Sequence, residues 1–577
     1  FRGYPETAEK LARKAADLFM AMGEKSGLTQ SKILQARVLR CRGMFFQSLK
    51  LLTECAPFLP AQDHDQRLDL LMEKAVSLYL TGSLTEAEEL LTSALDKAKS
   101  RSNHYLLPYI LEGLGNVHYL KGNYIKAMYY FKKGMDSSPE GFLPGYHTQD
   151  HMSMIYEDWG ELQKALELAK QNVTCKEKLG MVDTLPSAYT HLAEVQTNLG
   201  YYQEAEANYQ KAISLLQEIN GERTYLALSF AFYARCLWLQ GKMVEAKANI
   251  ERALAFHEIK DSLCYSSCQT VGGLILYQAG ETKEGERILL EAVTALEKQG
   301  FTKALAYAFQ ALAALYFAEG DQSKFQFYAK KALTLSARIN YVQNFLTCFE
   351  VFAPILRAGI EHNIELSFVQ RIILRSGARA HSILTPLLKH PDPEVRKRVC
   401  APLAELRDEQ GKKGLFLLAQ DSEGDVRKVA SRFLAKLPQP LGRNQALKED
   451  CHIKLQTLGA LHVFVNGTEI SDTKWRTRKA KHLLVYLAHH GEAISKEKII
   501  DDLWPEAQGE DLDALFHTTL YRLRQALNLP EKIVTYKGGR YQLDPGCYQT
   551  DQAEFEKLIQ TASRPDRTLE ETILFLE

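Results

Sequence analysis

The feature that most restricts this chain is a recurring glycine. Gly3, Gly43, Gly82, Gly122, Gly160, Gly200, Gly241, Gly280 and Gly320 follow one another at intervals of 38 to 41 residues. Five positions after each glycine stands a small side chain: Ala8, Ser48, Ala87, Ala127, Ala165, Ala205, Ala246 and Gly285, with Phe325 the exception. Twelve positions after it stand Ala15, Cys55, Ala94, Gly134, Ala212, Ala253, Ala292 and Ala332, with Asn172 the exception. A period of this length signals stacked supersecondary units, each burying its apolar face on its neighbours. Glycine suits the left-handed turn that closes the first helix of a hairpin. The later positions share one stripe of the second helix, where small residues let a partner helix come close. LTGSLTEAEELLTSALDKA and LGYYQEAEANYQKAISLL show the unit plainly. The expected fold is mainly α, a right-handed helical-hairpin solenoid over residues 1–360. Phe1 lies just ahead of the first repeat glycine, so the sequence is expected to begin inside a hairpin whose first helix lies upstream.

This unit resembles the tetratricopeptide repeat, in the longer form of the maltose-regulon activator's sensor domain. That resemblance implies a solenoid that receives a small-molecule or protein effector and supports self-association. It also implies a nucleotide-hydrolysing domain upstream in a full-length protein. Tyr105, Tyr109, Tyr119, Trp159, Tyr189 and Trp238 are candidates to line a concave groove, since aromatic faces stack on sugars and other flat surfaces. The competing assignment places them in the core between repeats.

The period decays after Gly359. ILTPLLKHPDPEVRKRVCAPLAEL and LFLLAQDSEGDVRKVASRFLAKL are similar to two HEAT repeats, expected over residues 361–438. Each opens a helix with an acidic turn, Asp392 and Glu394 or Glu423 and Asp425, which suits a helix N-terminus. The Val-Arg that follows is expected to point its arginine outward. PQPLGRNQALKED, rich in proline, glycine and polar residues, gives a linker at 439–450.

Residues 451–548 read as a separate α+β unit. IKLQTLGALHVFVNGTEI alternates apolar and polar residues about Asn466-Gly467, a hairpin signal. Ala480, Leu483, Leu484 and Leu487 form one helical stripe, ended by Gly491. Ser495 caps a second helix that Pro505 stops. A third spans about 511–528 and buries Phe516, Leu520, Leu523 and Leu527, leaving Ala514, Thr518, Tyr521, Arg522 and Gln525 on its outer face. IVTYK and RYQL then flank Gly538-Gly539 as a hairpin. Three helices and a glycine-tipped hairpin in this order are what a DNA-reading winged helix requires.

LGALHVFVNG, KHLLVYLAHHGEAISKEKIIDDLWPE, LYRLRQAL and GGRYQL resemble the OmpR-type winged helix of the SARP class of bacterial transcriptional activators. TDQAEFEKLIQTA is similar to the first helix of the bacterial transcriptional activator domain that follows it, which places a truncated domain at 549–577. The resemblance implies promoter DNA and RNA polymerase as partners, and makes the third helix the recognition helix. Its candidate contacts are His517, Thr518, Tyr521, Arg522, Arg524 and Gln525. Lys537 and Arg540 belong to the wing, and Arg476, Arg478 and Lys481 offer a phosphate patch at the start of the first helix. Leu515-Phe516-His517 and the acidic Asp511 and Asp513 depart from the family pattern, so the base sequence read does not carry over.

Charge and composition limit the alternatives. The chain has 71 Lys and Arg against 71 Asp and Glu, so no global field draws it to nucleic acid or membrane. Residues 451–548 hold 13 basic against 12 acidic residues, so DNA attraction there must be local. The ten cysteines form no CxxC, which points to structural thiols in a reducing, cytoplasmic setting. No run is long and apolar enough to span a membrane. The sequence lacks GxxxxGK[ST], GxSxG and HExxH, and His147, Asp150 and His151 alone make a poor metal site. No enzyme activity, cofactor or metal is expected. The function indicated is a sequence-specific DNA-binding transcriptional regulator, an activator by resemblance; the alternative is an interaction scaffold in which solenoid and winged helix both bind protein. A sensor acting without DNA is a third option.

Overall fold

The computed structural model describes residues 5–436 and 453–552, apart from 60–63, 101–105, 139–142, 183, 220–221 and 261 in the first span and 460, 466–467, 476, 492, 506–511, 528–532, 538 and 545–546 in the second. At 5–6, 64, 100, 143–147, 436, 472–473 and 537 it describes the backbone alone. The chain divides into two compact units, residues 1–438 and 439–577.

The first unit is a stack of helical hairpins. Successive pairs are Leu107–Leu120 with Tyr124–Asp136, Leu143–Asp158 with Leu162–Lys178, Leu185–Leu199 with Tyr202–Glu218, Arg223–Leu239 with Met243–Leu254, Leu263–Gln278 with Thr282–Gln299, and Thr302–Glu319 with Gln322–Ile339. The repeat glycines from Gly43 to Gly320 all adopt positive φ, from 75° to 92°, at the turn inside a hairpin. The small stripe is buried as its spacing requires: Ala165, Ala205, Ala246, Ala212, Ala253 and Ala292 have no exposed surface. Gly285 shows why. A Cβ there would lie 2.7 Å from the carbonyl oxygen of Gly273 on the first helix of its own hairpin.

Two features escape the repeat pattern. Gly180 and Gly300 also adopt positive φ, at turns between hairpins rather than within them. Gly359 does not; it lies inside the helix Phe349–Glu361, packed against Val369. There the solenoid period gives way to shorter helices, Leu366–Arg375, His381–Leu387, Pro393–Glu405, Glu409–Leu418 and Gly424–Lys436. Asp392 caps its helix through the N–H of Glu394 at 2.9 Å, as the acidic turn suggests. Arg396 does not point outward. It is buried and makes a two-pronged pair with Asp421, Nε to Oδ2 at 2.7 Å and Nη2 to Oδ1 at 2.8 Å. A planar guanidinium matched to a carboxylate ties one helical pair to the next, which outweighs hydration of the arginine.

The superhelix also closes on itself. The turn at Gly43 meets Ile259, that at Gly82 meets Gln299, that at Gly122 meets Ile339, and that at Gly160 meets Arg375. The positions in each pair are more than two hundred residues apart. One apolar core accordingly joins Leu68 and Leu114 to Leu312, Phe352 and Ala430.

Among its described residues the second unit contains two small sheets and three α-helices. Strands β1 (Ile453–Gln456), β2 (His462–Val465) and β3 (Thr468–Glu469) form an antiparallel meander; the turn expected at Asn466-Gly467 lies outside the described residues. The helices Arg478–His490, Lys496–Leu503 and Leu512–Leu527 follow. β4 (Ile494–Ser495) pairs with β6 (Arg540–Leu543), which pairs with β5 (Val534–Lys537) in antiparallel register. β7 (Tyr548–Thr550) joins β1 in parallel and crosses the boundary expected at 548, because it completes the first sheet. Ala480, Leu483, Leu484, Leu487, Phe516, Leu520, Leu523 and Leu527 make one core, matching both expected stripes. Among the described residues no helix is long and apolar enough to cross a membrane.

Candidate functional site

The first helices of six successive hairpins surround a cavity of about 220 Å³ in the solenoid. It crosses them obliquely, passing near the ends of the earlier helices, at Tyr119, Glu157, Asp158 and Glu194, and the starts of the later ones, at Cys264 and Lys303. The wall is mostly apolar, with Leu228, Phe232, Phe301 and Tyr307 among its members. Set into that wall are five ionisable side chains: Glu157, Asp158, Glu194, Arg235 and Lys303.

Lys303 and Asp158 form a pair at 2.6 Å. Tyr124 donates its hydroxyl proton to the same carboxylate at 2.6 Å, and the Val342 N–H donates to the Asp158 carbonyl at 2.8 Å. Burial opposes the Lys303 ammonium, but Asp158, Tyr119, Tyr341 and Glu194 together outweigh it and hold the pKa well above the usual lysine range. Arg235 is held differently. Only 5 % exposed, it donates to Asn198 Oδ1 at 3.2 Å and Asn344 Oδ1 at 3.3 Å. Asn198 Oδ1 also accepts from Thr347 at 2.8 Å, and Asn344 donates to Gln310, so the guanidinium sits in an amide network. Its Nε has no hydrogen-bond partner, and no carboxylate lies within 4.0 Å of it among the described residues. Glu157 is almost fully buried, and burial followed by the charge of Glu194 pushes its pKa well above the carboxylate range. Burial pushes the Cys264 thiol up to about 12, which leaves it a poor nucleophile. The cavity therefore offers an anion-binding group, hydrogen-bonding amides and apolar walls, the composition of a ligand site.

Of the aromatic residues singled out in the sequence, Tyr119 lines this cavity. Tyr189 belongs to an inter-repeat core, Trp238 packs on another, and Trp159 packs beside Tyr124 and Tyr156. Tyr109 is half-buried, and Tyr105 lies outside the described residues. The His147 side chain is also outside them, while Asp150 pairs with Lys176 at 3.9 Å and His151 stacks on Phe131. Sequence inspection overlooked the charged cavity residues. Their signal was a lone charge in an apolar first helix, as Arg235 is within LALSFAFYARCLWL. Glu157, His191 and Glu194 each bring a potential ligand atom within 4.8 Å of the others.

In the second unit, Thr518, Tyr521 and Gln525 are exposed on the third helix, and Arg522 is half-exposed beside them. His517 is exposed and lies 3.7 Å from Asp513. Arg524 turns toward the sheet, where Nη2 donates to the Val534 carbonyl at 3.4 Å. Arg540 is exposed on β6 next to the turn at Gly539, φ 80°. Arg478 is exposed at the start of the first helix, whereas Lys481 donates to the Leu461 carbonyl at 2.8 Å. Arg476 and the side chain of Lys537 lie outside the described residues.

Comparison with known proteins identifies a tetratricopeptide repeat at residues 184–258, the hairpins from Leu185 to Leu254. No curated protein matches the chain. Among solved structures, a Rap protein complexed with competence and sporulation factor is similar at 13% identity and TM-score 0.45, covering 62% of this chain and 99% of its own. The Rap conjugation gene regulator of plasmid pLS20 in complex with the Phr* peptide is similar at 11% identity and TM-score 0.41, covering 62% of this chain and 97% of its own. BtubC (BKLC) from P. vanneervenii is similar at 18% identity and TM-score 0.28, covering 41% of this chain and 94% of its own.

Proposed function

We propose that this chain is a DNA-binding transcriptional regulator in which the solenoid receives an effector in its central cavity and the second unit, an OmpR-type winged helix, reads promoter DNA. The observation that carries the DNA assignment is the division of the third helix. Phe516, Leu520, Leu523 and Leu527 are buried, while Thr518, Tyr521 and Gln525 stand free and Arg522 has no hydrogen-bond or ion-pair partner among the described residues. A cation without a protein partner, among side chains that hydrogen-bond base edges, suits a helix entering the major groove. The β5–β6 hairpin, with Arg540 beside its turn, is then the wing. Effector binding would act by favouring one of two conformations, which requires unequal affinity for them. SARP-type resemblance extends the reading to RNA polymerase contact and to self-association on repeated sites.

The test is fluorescence anisotropy with a library of genomic duplexes over a salt series. Selective binding that weakens with salt is expected, and Arg522→Ala should cost about 1–3 kcal/mol with the fold intact. Unchanged affinity in that variant would sink the recognition-helix assignment.

A second reading is an interaction scaffold in which both units bind protein. It rests on Tyr521 at 59% exposure and Tyr536 at 63%, two large exposed rings in one small unit. Equal, weak binding to every duplex would favour it.

A further inference from the structure

Glu157 lines the cavity, and behind it two buried acceptor atoms, one of its own and one of His191, lie close together. Ser153 donates its hydroxyl proton to the Ala165 carbonyl at 2.7 Å. A hydroxyl has one proton, so the same oxygen must accept from His191 Nε2, 2.9 Å away. In the neutral imidazole Nδ1 is then a bare lone pair. It is buried, has no hydrogen-bond partner, and lies 3.8 Å from Glu157 Oε2. That oxygen is equally without a partner, because Asn198 donates to the other one, Oε1. Two acceptors brought together away from water need a proton or a metal ion between them.

A single proton would satisfy two acceptors, but a third converges on the same point. Glu194 lies one helical turn beyond His191 on Leu185–Leu199, and the spacing places both on one face. A ligand atom from each of Glu157, His191 and Glu194 lies within 4.8 Å of the others. Donors about 2.0–2.2 Å from a tetrahedral ion stand roughly 3.4 Å apart, so closing the site requires a shift on the order of 1 Å. Glu194 is half-buried, the least enclosed of the three. Of the cations nearby, Lys303 is paired with Asp158, and Arg235 donates to Asn198 and Asn344 and makes no ion pair with these three among the described residues.

We propose that Glu157, His191 and Glu194 bind one divalent transition-metal ion of the Zn²⁺ type on the cavity wall. One imidazole nitrogen and two carboxylate oxygens neutralise the ion and suit its ligand preference. Ser153 and Asn198 orient the first two ligands from behind, the usual support for such a site. The ion would join Leu143–Asp158 to Leu185–Leu199, and a remaining coordination position would face the cavity. This inference stands whether or not the second unit reads DNA.

The test uses the full chain, stripped with chelator and titrated with Zn²⁺ by calorimetry. Co²⁺ substitution supplies a visible spectrum that reports the ligand set. Glu194→Gln is the informative variant, since its half-exposed position should spare the fold, and circular dichroism verifies this. One ion per chain is expected, with affinity at least about tenfold weaker in Glu194→Gln and an altered cobalt spectrum. Zinc should also raise the melting temperature of the wild type more than that of the variant. Failure of the wild type to bind would overturn the proposal and leave a proton between Glu157 and His191. Equal affinity and identical cobalt spectra in the variant would overturn it too, by placing the metal elsewhere.

Discussion

The solenoid cavity and the outer face of Leu512–Leu527 hold polar side chains under opposite conditions. Arg235 and Glu157 are buried among apolar walls, where every missing partner costs free energy. Thr518, Tyr521 and Gln525 are exposed, and water satisfies whatever the protein does not. An unpaired group therefore carries different weight in the two places. Inside the solenoid it marks a position that a ligand or ion could complete. On the helix it marks only availability, so the case for DNA rests on the arrangement of the whole face.

The largest test of this contrast removes one partner from the buried pair. Lys303→Met leaves the Asp158 carboxylate in an environment where its side chain is 1% exposed. A loss of about 3–5 kcal/mol is expected in denaturant unfolding, with partial recovery on adding Asp158→Asn. A smaller loss would mean that water reaches Asp158 and that the cavity wall is wetter than its packing indicates.

Backbone substitutions sharpen the comparison next. Gly200 has φ 80° with open space around its missing Cβ, so Gly200→Ala should cost about 1–2 kcal/mol through backbone strain alone. Gly82 has φ 92°, and a Cβ there would stand 2.7 Å from the Gln299 Cα. Gly82→Ala should therefore cost more than Gly200→Ala, since it also pushes apart two distant parts of the superhelix. Equal melting temperatures would argue that the closure is loose in solution.

A gentler effect is expected at Glu112. Burial, opposed by Lys176 and reinforced by Asp150, raises its pKa to about 8. The folded chain then keeps a proton that the unfolded chain releases near the ordinary value of 4.5. Its contribution is full at low pH and falls as pH rises from about 4.5 to 8. Glu112→Gln should flatten that part of the stability–pH curve; an unchanged slope would show that the carboxyl is well hydrated. The smallest change belongs to the exposed helix. Tyr521→Ala should alter stability by no more than about 0.5 kcal/mol, whatever it does to DNA binding, and a larger loss would reveal hidden packing.

Much of the architecture could be read from residue spacing. The glycines at hairpin turns and the small stripe at Ala165, Ala205 and Ala246 are local requirements: a left-handed turn and a close helix contact each restrict residue type. The same holds for Phe516, Leu520, Leu523 and Leu527, whose helical period alone defines a buried side. The cavity was less legible. Helix periodicity does not separate a charged residue facing a central channel from one facing solvent, and Arg396 misled in the same way. Its partner Asp421 comes from the next helical pair, a match that no local pattern announces.

The sequence by itself determined the repeat, its turns and the stripes that stack it, because those depend on backbone conformation and side-chain volume within one unit. It also supplied His191 and Glu194 at a spacing that puts them on one helix face. Only the tertiary structure decided that Glu157 meets them, that Lys303 finds Asp158, and that Gly82 abuts Gln299. Those meetings depend on the angle at which each hairpin is set on the last. Small rotations accumulate through the stack, and where the chain finally comes back upon itself is a property of their sum.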